Sequence, residues 1–97
     1  MGKRGWIEMV CDLLDVIRGN NVNQVKTEIL HQVGMSPNKF YDLLEHLAEK
    51  KLIFILRKGK KKGIPKITER GKRWLIKMEL LLEELDYESI KAKRQKW

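Results

Sequence analysis

The sequence predicts a mostly helical α+β domain, and three observations predict it. Apolar residues recur at three- and four-residue steps through three successive segments before residue 50. The pattern then changes to a short β-branched and aromatic run and a glycine-bracketed lysine turn. A last, long segment returns to helical spacing.

Each element follows from its residues. Trp6, Ile7, Val10, Leu13, Leu14 and Ile17 mark an amphipathic helix over roughly 5–18, stopped by Gly19-Asn20-Asn21. Val22, Val25, Ile29, Leu30 and Val33 repeat the period, and Asn23 is a candidate N-cap for a second helix over about 23–32. Val33-Gly34-Met35 reads as a tight turn, with Gly34 supplying a positive φ. Ser36-Pro37 opens a third helix that ends near Lys50, with Pro37 at the position where a missing N–H costs nothing. Phe40, Leu43, Leu44 and Leu47 form its buried stripe. Leu52-Ile53-Phe54-Ile55-Leu56 reads as a strand and Ile64-Pro65-Lys66-Ile67 as its return. Pro65 has no N–H to give a ladder, which makes the return strand an edge. Lys60-Lys61-Lys62 forms the hairpin tip, between Gly59 and Gly63. Thr68 caps a final helix over about 69–95.

Composition narrows the function. At 97 residues with 42% apolar content the chain makes one domain with a modest core, which a partner subunit would help to stabilise. The longest apolar run, 52–56, is far too short to span a bilayer. No apolar h-region follows Met1, so no signal peptide is expected. The single cysteine, Cys11, excludes an intrachain disulfide and reads as a small core residue in a reducing compartment. A cytoplasmic, chromosome-associated protein is the expectation.

The net charge of +8 is confined to one place. Residues 57–73 hold nine Lys/Arg and one Glu, whereas the segments before and after them balance to zero. A charge excess so concentrated attracts a polyanion. The run Arg57-Lys58-Gly59-Lys60-Lys61-Lys62-Gly63 contains no apolar residue, so it is not a membrane-surface helix.

Three helices followed by a β-hairpin is the winged-helix order, and residues 27–44 look like its helix-turn-helix. The major groove of duplex DNA admits one α-helix, read chiefly by its first turns. The third helix presents Asn38 and Asp42 opposite its apolar stripe, flanked by Lys39 and Tyr41. Asn can pair with adenine, Lys can reach guanine or phosphate, and the helix start at Ser36 offers free N–H groups to a phosphate. Asp42, Glu45 and Glu49 form an acidic line on the same helix, which phosphate would repel: either only the first turn enters the groove, the favoured reading, or Asp42 accepts from a cytosine amine, or this helix does not bind DNA. Arg57, Lys58, Lys60, Lys61 and Lys62 suit phosphate or minor-groove contact and would carry most of the affinity.

Along the final helix, Leu75, Met78, Leu82, Leu85, Ser89 and Ala92 follow a heptad seam, widened by Trp74, Leu81 and Tyr87. Met78, Leu81, Leu82, Leu85, Ser89 and Ala92 are the candidate dimerisation positions. Acidic residues from Glu79 to Glu88 precede basic ones from Lys91 to Lys96, so an antiparallel pair sets acid against base. The division expected is therefore 1–73 for the DNA-binding domain and 74–97 for a continuous dimerisation helix.

With the Ile67-Thr68-Glu69-Arg70-Gly71 junction and the long last helix, essentially the whole chain resembles the small archaeal winged-helix DNA-binding proteins of the Sso-ten-a type. In the stretch Leu47-Ala48-Glu49-Lys50-Lys51-Leu52-Ile53, Lys51 stands where winged-helix regulators often have glycine, and Pro65 where many relatives have an aromatic residue. The resemblance implies DNA binding as a dimer joined by an antiparallel coiled coil, either as a chromosome-associated protein or as a transcription regulator.

No catalytic or metal-binding pattern emerges. His31 and His46 lie on different helices without Cys-Cys spacing nearby, and no Ser-His-Asp set or phosphate-cradling glycine motif is present. The expectation is a non-enzyme without a cofactor, with double-stranded DNA and a second copy as partners; a small-molecule effector is neither implied nor excluded. Trp6 and Trp74 read as core. A winged-helix protein-interaction module is the alternative, suited by the acidic line. RNA ranks lower, because no strand promises exposed aromatics for base stacking.

Overall fold

The computed structural model describes residues 5–84. Its elements run α1 (Trp6–Arg18), α2 (Lys26–Val33), α3 (Pro37–Glu49), β1 (Ile53–Lys58), β2 (Lys61–Ile67) and α4 (Glu69–Glu84). The two strands pair antiparallel in one two-stranded sheet. The end expected for the last helix, the seam positions Leu85, Ser89 and Ala92, and Tyr87 lie outside the described residues.

The core is built where the helical periods point. Leu13, Leu14 and Ile17 of α1 meet Ile29 of α2, the Phe40/Leu43/Leu44/Leu47 stripe of α3, Leu52, Ile53 and Leu75. Cys11 is buried at its edge; desolvation, then Glu79, Asp12 and Glu8, push its thiol pKa up. Arg18 ties α1 to α4 through Glu79, 3.2 Å away, and also pairs with Asp15 one turn back.

Four expectations change. The second helix starts at Lys26, because Asn23 is held at φ 56° in a turn and cannot cap it. Glu28 closes the helix start instead, accepting the Val25 N–H at 3.0 Å. Val22 therefore falls in the turn and is exposed. The hairpin tip is shorter than the lysine run: Lys58 pairs with Lys61, leaving Gly59 and Lys60 as a two-residue turn, and Lys61 and Lys62 belong to β2. Gly59, at φ 59°, takes the first turn position, where a tight hairpin favours glycine. Trp6 is 56% exposed rather than core: it sits in the first turn of α1, ahead of Val10, where the buried residues of that helix begin. Phe54 is likewise exposed on β1, since the sheet has one buried face only, so the wing does carry one solvent-facing aromatic.

The junctions are specific. The α3 end closes by two bonds, Lys51 N–H to Ala48 C=O and Leu52 N–H to Leu47 C=O, both at 3.0 Å, with Lys51 at φ 62°. This is the Schellman arrangement, which places its left-handed residue one step past the cap. After α2, Gly34 at φ 68° makes the simpler left-handed cap, its N–H donating to the Leu30 carbonyl at 3.1 Å. Asn20, buried in the turn after α1, accepts the Gln24 N–H at 2.7 Å and donates to the carbonyls of Gln24 and Pro65. Lys66 reaches back to the Asn20 carbonyl at 2.6 Å. The α1–α2 turn is thereby pinned to the hairpin.

Candidate nucleic-acid interface

The wing rises from a bulge. Between the pairs Leu56–Ile64 and Lys58–Lys61, β2 contains one more residue than β1, and Gly63 absorbs it at φ 73°. A Cβ on Gly63 would lie 3.3 Å from Cε of Lys26, so the α2 lysine is laid along the hairpin. The bulge adds twist to the strand pair that carries Arg57, Lys58, Lys60, Lys61 and Lys62, all of which are exposed. Two other cations of the basic segment are committed elsewhere: Lys66 to Asn20 and Lys72 to Glu69 at 3.3 Å.

On α3, Ser36 occupies the N-cap, but its hydroxyl closes no cap bond, and Pro37 opens the helix. The first-turn backbone donors thus lie beside an exposed hydroxyl. Asn38, Lys39, Tyr41 and Asp42 are all exposed. Tyr41 sets its ring edge-on to Phe40, with centroids 5.1 Å apart, which limits its swing. Tyr41 and Glu45 share a shallow groove with Ile55 of β1 and Lys26 of α2. On the other flank Lys39, Asp42 and His46 meet Trp6. The acidic line Asp42, Glu45 and Glu49 is exposed along the helix.

A profile of the winged helix-turn-helix family matches residues 3–86. The chain belongs to that family.

In this winged helix-turn-helix protein α2 and α3 are the helix-turn-helix and the β1–β2 hairpin is the wing. Solved structures share the fold. Sso10a-2, a DNA-binding protein from Sulfolobus solfataricus, superposes with a TM-score of 0.74 at 21% identity, over 96% of this chain and 92% of its own. SSV1 F-93 follows with a TM-score of 0.62 at 19% identity, over 92% of this chain and 97% of its own. The PcaV transcriptional regulator from Streptomyces coelicolor gives 0.60 at 12% identity, over 89% of this chain and 67% of its own. The resemblance to the Sso-ten-a type is thus met at the level of the fold. A search of curated sequences finds no match.

Sequence reasoning missed Lys26, whose approach to the wing is invisible without the Gly63 bulge. It also missed that Lys66 is engaged, because the buried Asn20 that orders the turn carries no periodic signal. Among the described residues no group of three or more His, Cys, Asp or Glu is arranged to hold a metal, and no helix is long and apolar enough to cross a membrane.

Proposed function

We propose that this protein binds double-stranded DNA as a homodimer, with the first turn of α3 in the major groove and the wing on the phosphate backbone. The observation that carries the reading is the wing itself. Its five exposed cations stand on a two-stranded antiparallel support, with no acidic residue among positions 53–67. The family and the likeness to a DNA-binding protein support the same reading.

In this reading Arg57, Lys58, Lys60, Lys61 and Lys62 contact phosphates, Ser36 offers the helix start to another, and Asn38, Lys39, Tyr41 and Asp42 meet base edges. Residues 1–73 form the DNA-binding unit, and 74–97 the dimerisation helix. Wing-dominated binding with little sequence choice describes a chromosome-associated protein; a preferred two-fold site describes a transcription regulator.

Titration of random-sequence duplex at several salt concentrations tests the proposal. If about five phosphates are neutralised, log K falls with log salt at a slope of roughly −4 to −5. Lys60→Glu with Lys62→Glu abolishes that binding. Intact duplex affinity in the double variant refutes the wing reading. No binding at low salt by the wild type refutes DNA as the partner and promotes protein docking through the acidic line.

A further inference from the structure

The misplacement of Trp6 leads to a second site. Trp6 is 56% exposed at the start of α1. Such an indole leaves apolar aromatic surface accessible to a ligand. It does not stand by itself. Together with Trp74 of α4 it walls a pocket of about 270 Å³ between α1, α3 and α4, floored by buried Leu52.

The polar groups of that pocket are of one kind. Arg70 from α4, Lys50 from the end of α3 and His46 from its last turns line it, and no carboxylate does. Neither Arg70 nor Lys50 has an ion-pair partner among the described residues. Asp42 lies in the adjoining depression, which shares Trp6 and His46 with the pocket. The volume sits just under the roughly 300–1,000 Å³ usual for ligand sites, which limits an occupant to one small ring system.

We propose that this pocket binds a small planar aromatic carboxylate. The two indoles that line it supply aromatic surface for a ring to pack against. Arg70 offers a planar fork that matches a carboxylate, and Lys50 adds a second positive charge. A neutral ring leaves both cations unanswered, and a small aliphatic acid leaves the indoles uncovered. Trp6 and His46 also border the depression that holds Lys39 and Asp42, so an occupant lies beside the helix proposed to enter DNA. The inference does not rest on DNA binding.

The test titrates the full chain with benzoate and follows the tryptophan indole N–H resonances. Benzamide and acetate serve as the uncharged and ringless controls. Arg70→Gln and Trp6→Ala are the variants, each checked for an unchanged melting curve; both side chains are exposed enough to be replaced without unfolding the domain. The expected result is saturable benzoate binding, weakened at least about ten-fold by each variant, with no saturable response to benzamide or acetate. Absence of saturable benzoate binding overturns the proposal. So does an equal response to benzamide or acetate, or wild-type affinity in either folded variant.

Discussion

Gly71 shows how the absence of one atom fixes a junction. A Cβ at that position would stand 2.0 Å from the Leu52 carbonyl oxygen and 2.8 Å from Cγ1 of Ile67. The α4 backbone therefore lies directly on the chain that enters β1. The Thr68 hydroxyl, 2.7 Å from the Lys51 carbonyl, also accepts the Gly71 N–H at 2.9 Å. Gly71→Ala is expected to cost about 3 kcal/mol or more, since backbone cannot yield as a side chain can; thermal or urea unfolding measures it. Lys51 presents the opposite case. It holds φ 62°, a region where a side chain costs roughly 1–2 kcal/mol relative to glycine. Its neighbours Ala48 and Leu47 accept the bonds that require this geometry. Lys51→Gly should raise stability by about 1 kcal/mol, part of the gain being offset by the greater freedom of glycine in the unfolded chain. A lower unfolding midpoint in that variant would show that the lysine makes a compensating contact.

The elements divide by how local their causes are. Helices α1 and α3 were legible because periodic apolar residues and Ser36-Pro37 act within one segment. The start of α2 was not, because Asn20 orders the preceding turn through Pro65, 45 positions away. The hairpin was legible as a pair of strands, but its register was not. Lysines signal exposure equally well in a loop or in a strand, and the bulge at Gly63 depends on pairing rather than on composition. Trp6 misled for a related reason: its spacing continues the α1 stripe, while burial of that stripe begins only at Val10, one turn further along. Exposure of the α3 candidates follows from the stripe opposite them, but which of them reads a base does not. If α3 enters the groove by its first turn, Asn38→Ala should weaken one preferred duplex by about 1–3 kcal/mol and leave unrelated duplexes nearly unchanged. Equal weakening across all duplexes would reduce Asn38 to a backbone contact. The salt slope separates the wing from this effect, because a base contact changes affinity without changing the count of phosphates.

At the scale of the molecule, α4 serves two surfaces. Its first turns belong to the core: Leu75 is fully buried, and Trp74 and Met78 pack against the cluster. Arg18 and Glu79 close that side. Beyond it Ile76, Leu80, Leu81 and Leu82 are exposed at 51%, 57%, 49% and 37%, too many large apolar side chains on one helix to stand in water without purpose. Met78, expected on the dimer seam, is drawn partly inward, which moves the available stripe toward Leu81 and Leu82. Pairing two such helices would bury this stripe and fix two wings on one assembly, so that the second wing binds at a raised effective concentration. The dimer proposed here therefore predicts a coupled loss. Leu81→Glu with Leu82→Glu should halve the mass found by sedimentation equilibrium, preserve the helical and core signals, and lower duplex affinity far more than one lost contact would, although neither residue belongs to the proposed DNA interface. A wild-type chain that sediments as a monomer at micromolar concentration would refute the dimer. A monomeric variant with full DNA affinity would instead separate association from binding, leaving one wing and one helix sufficient for the duplex.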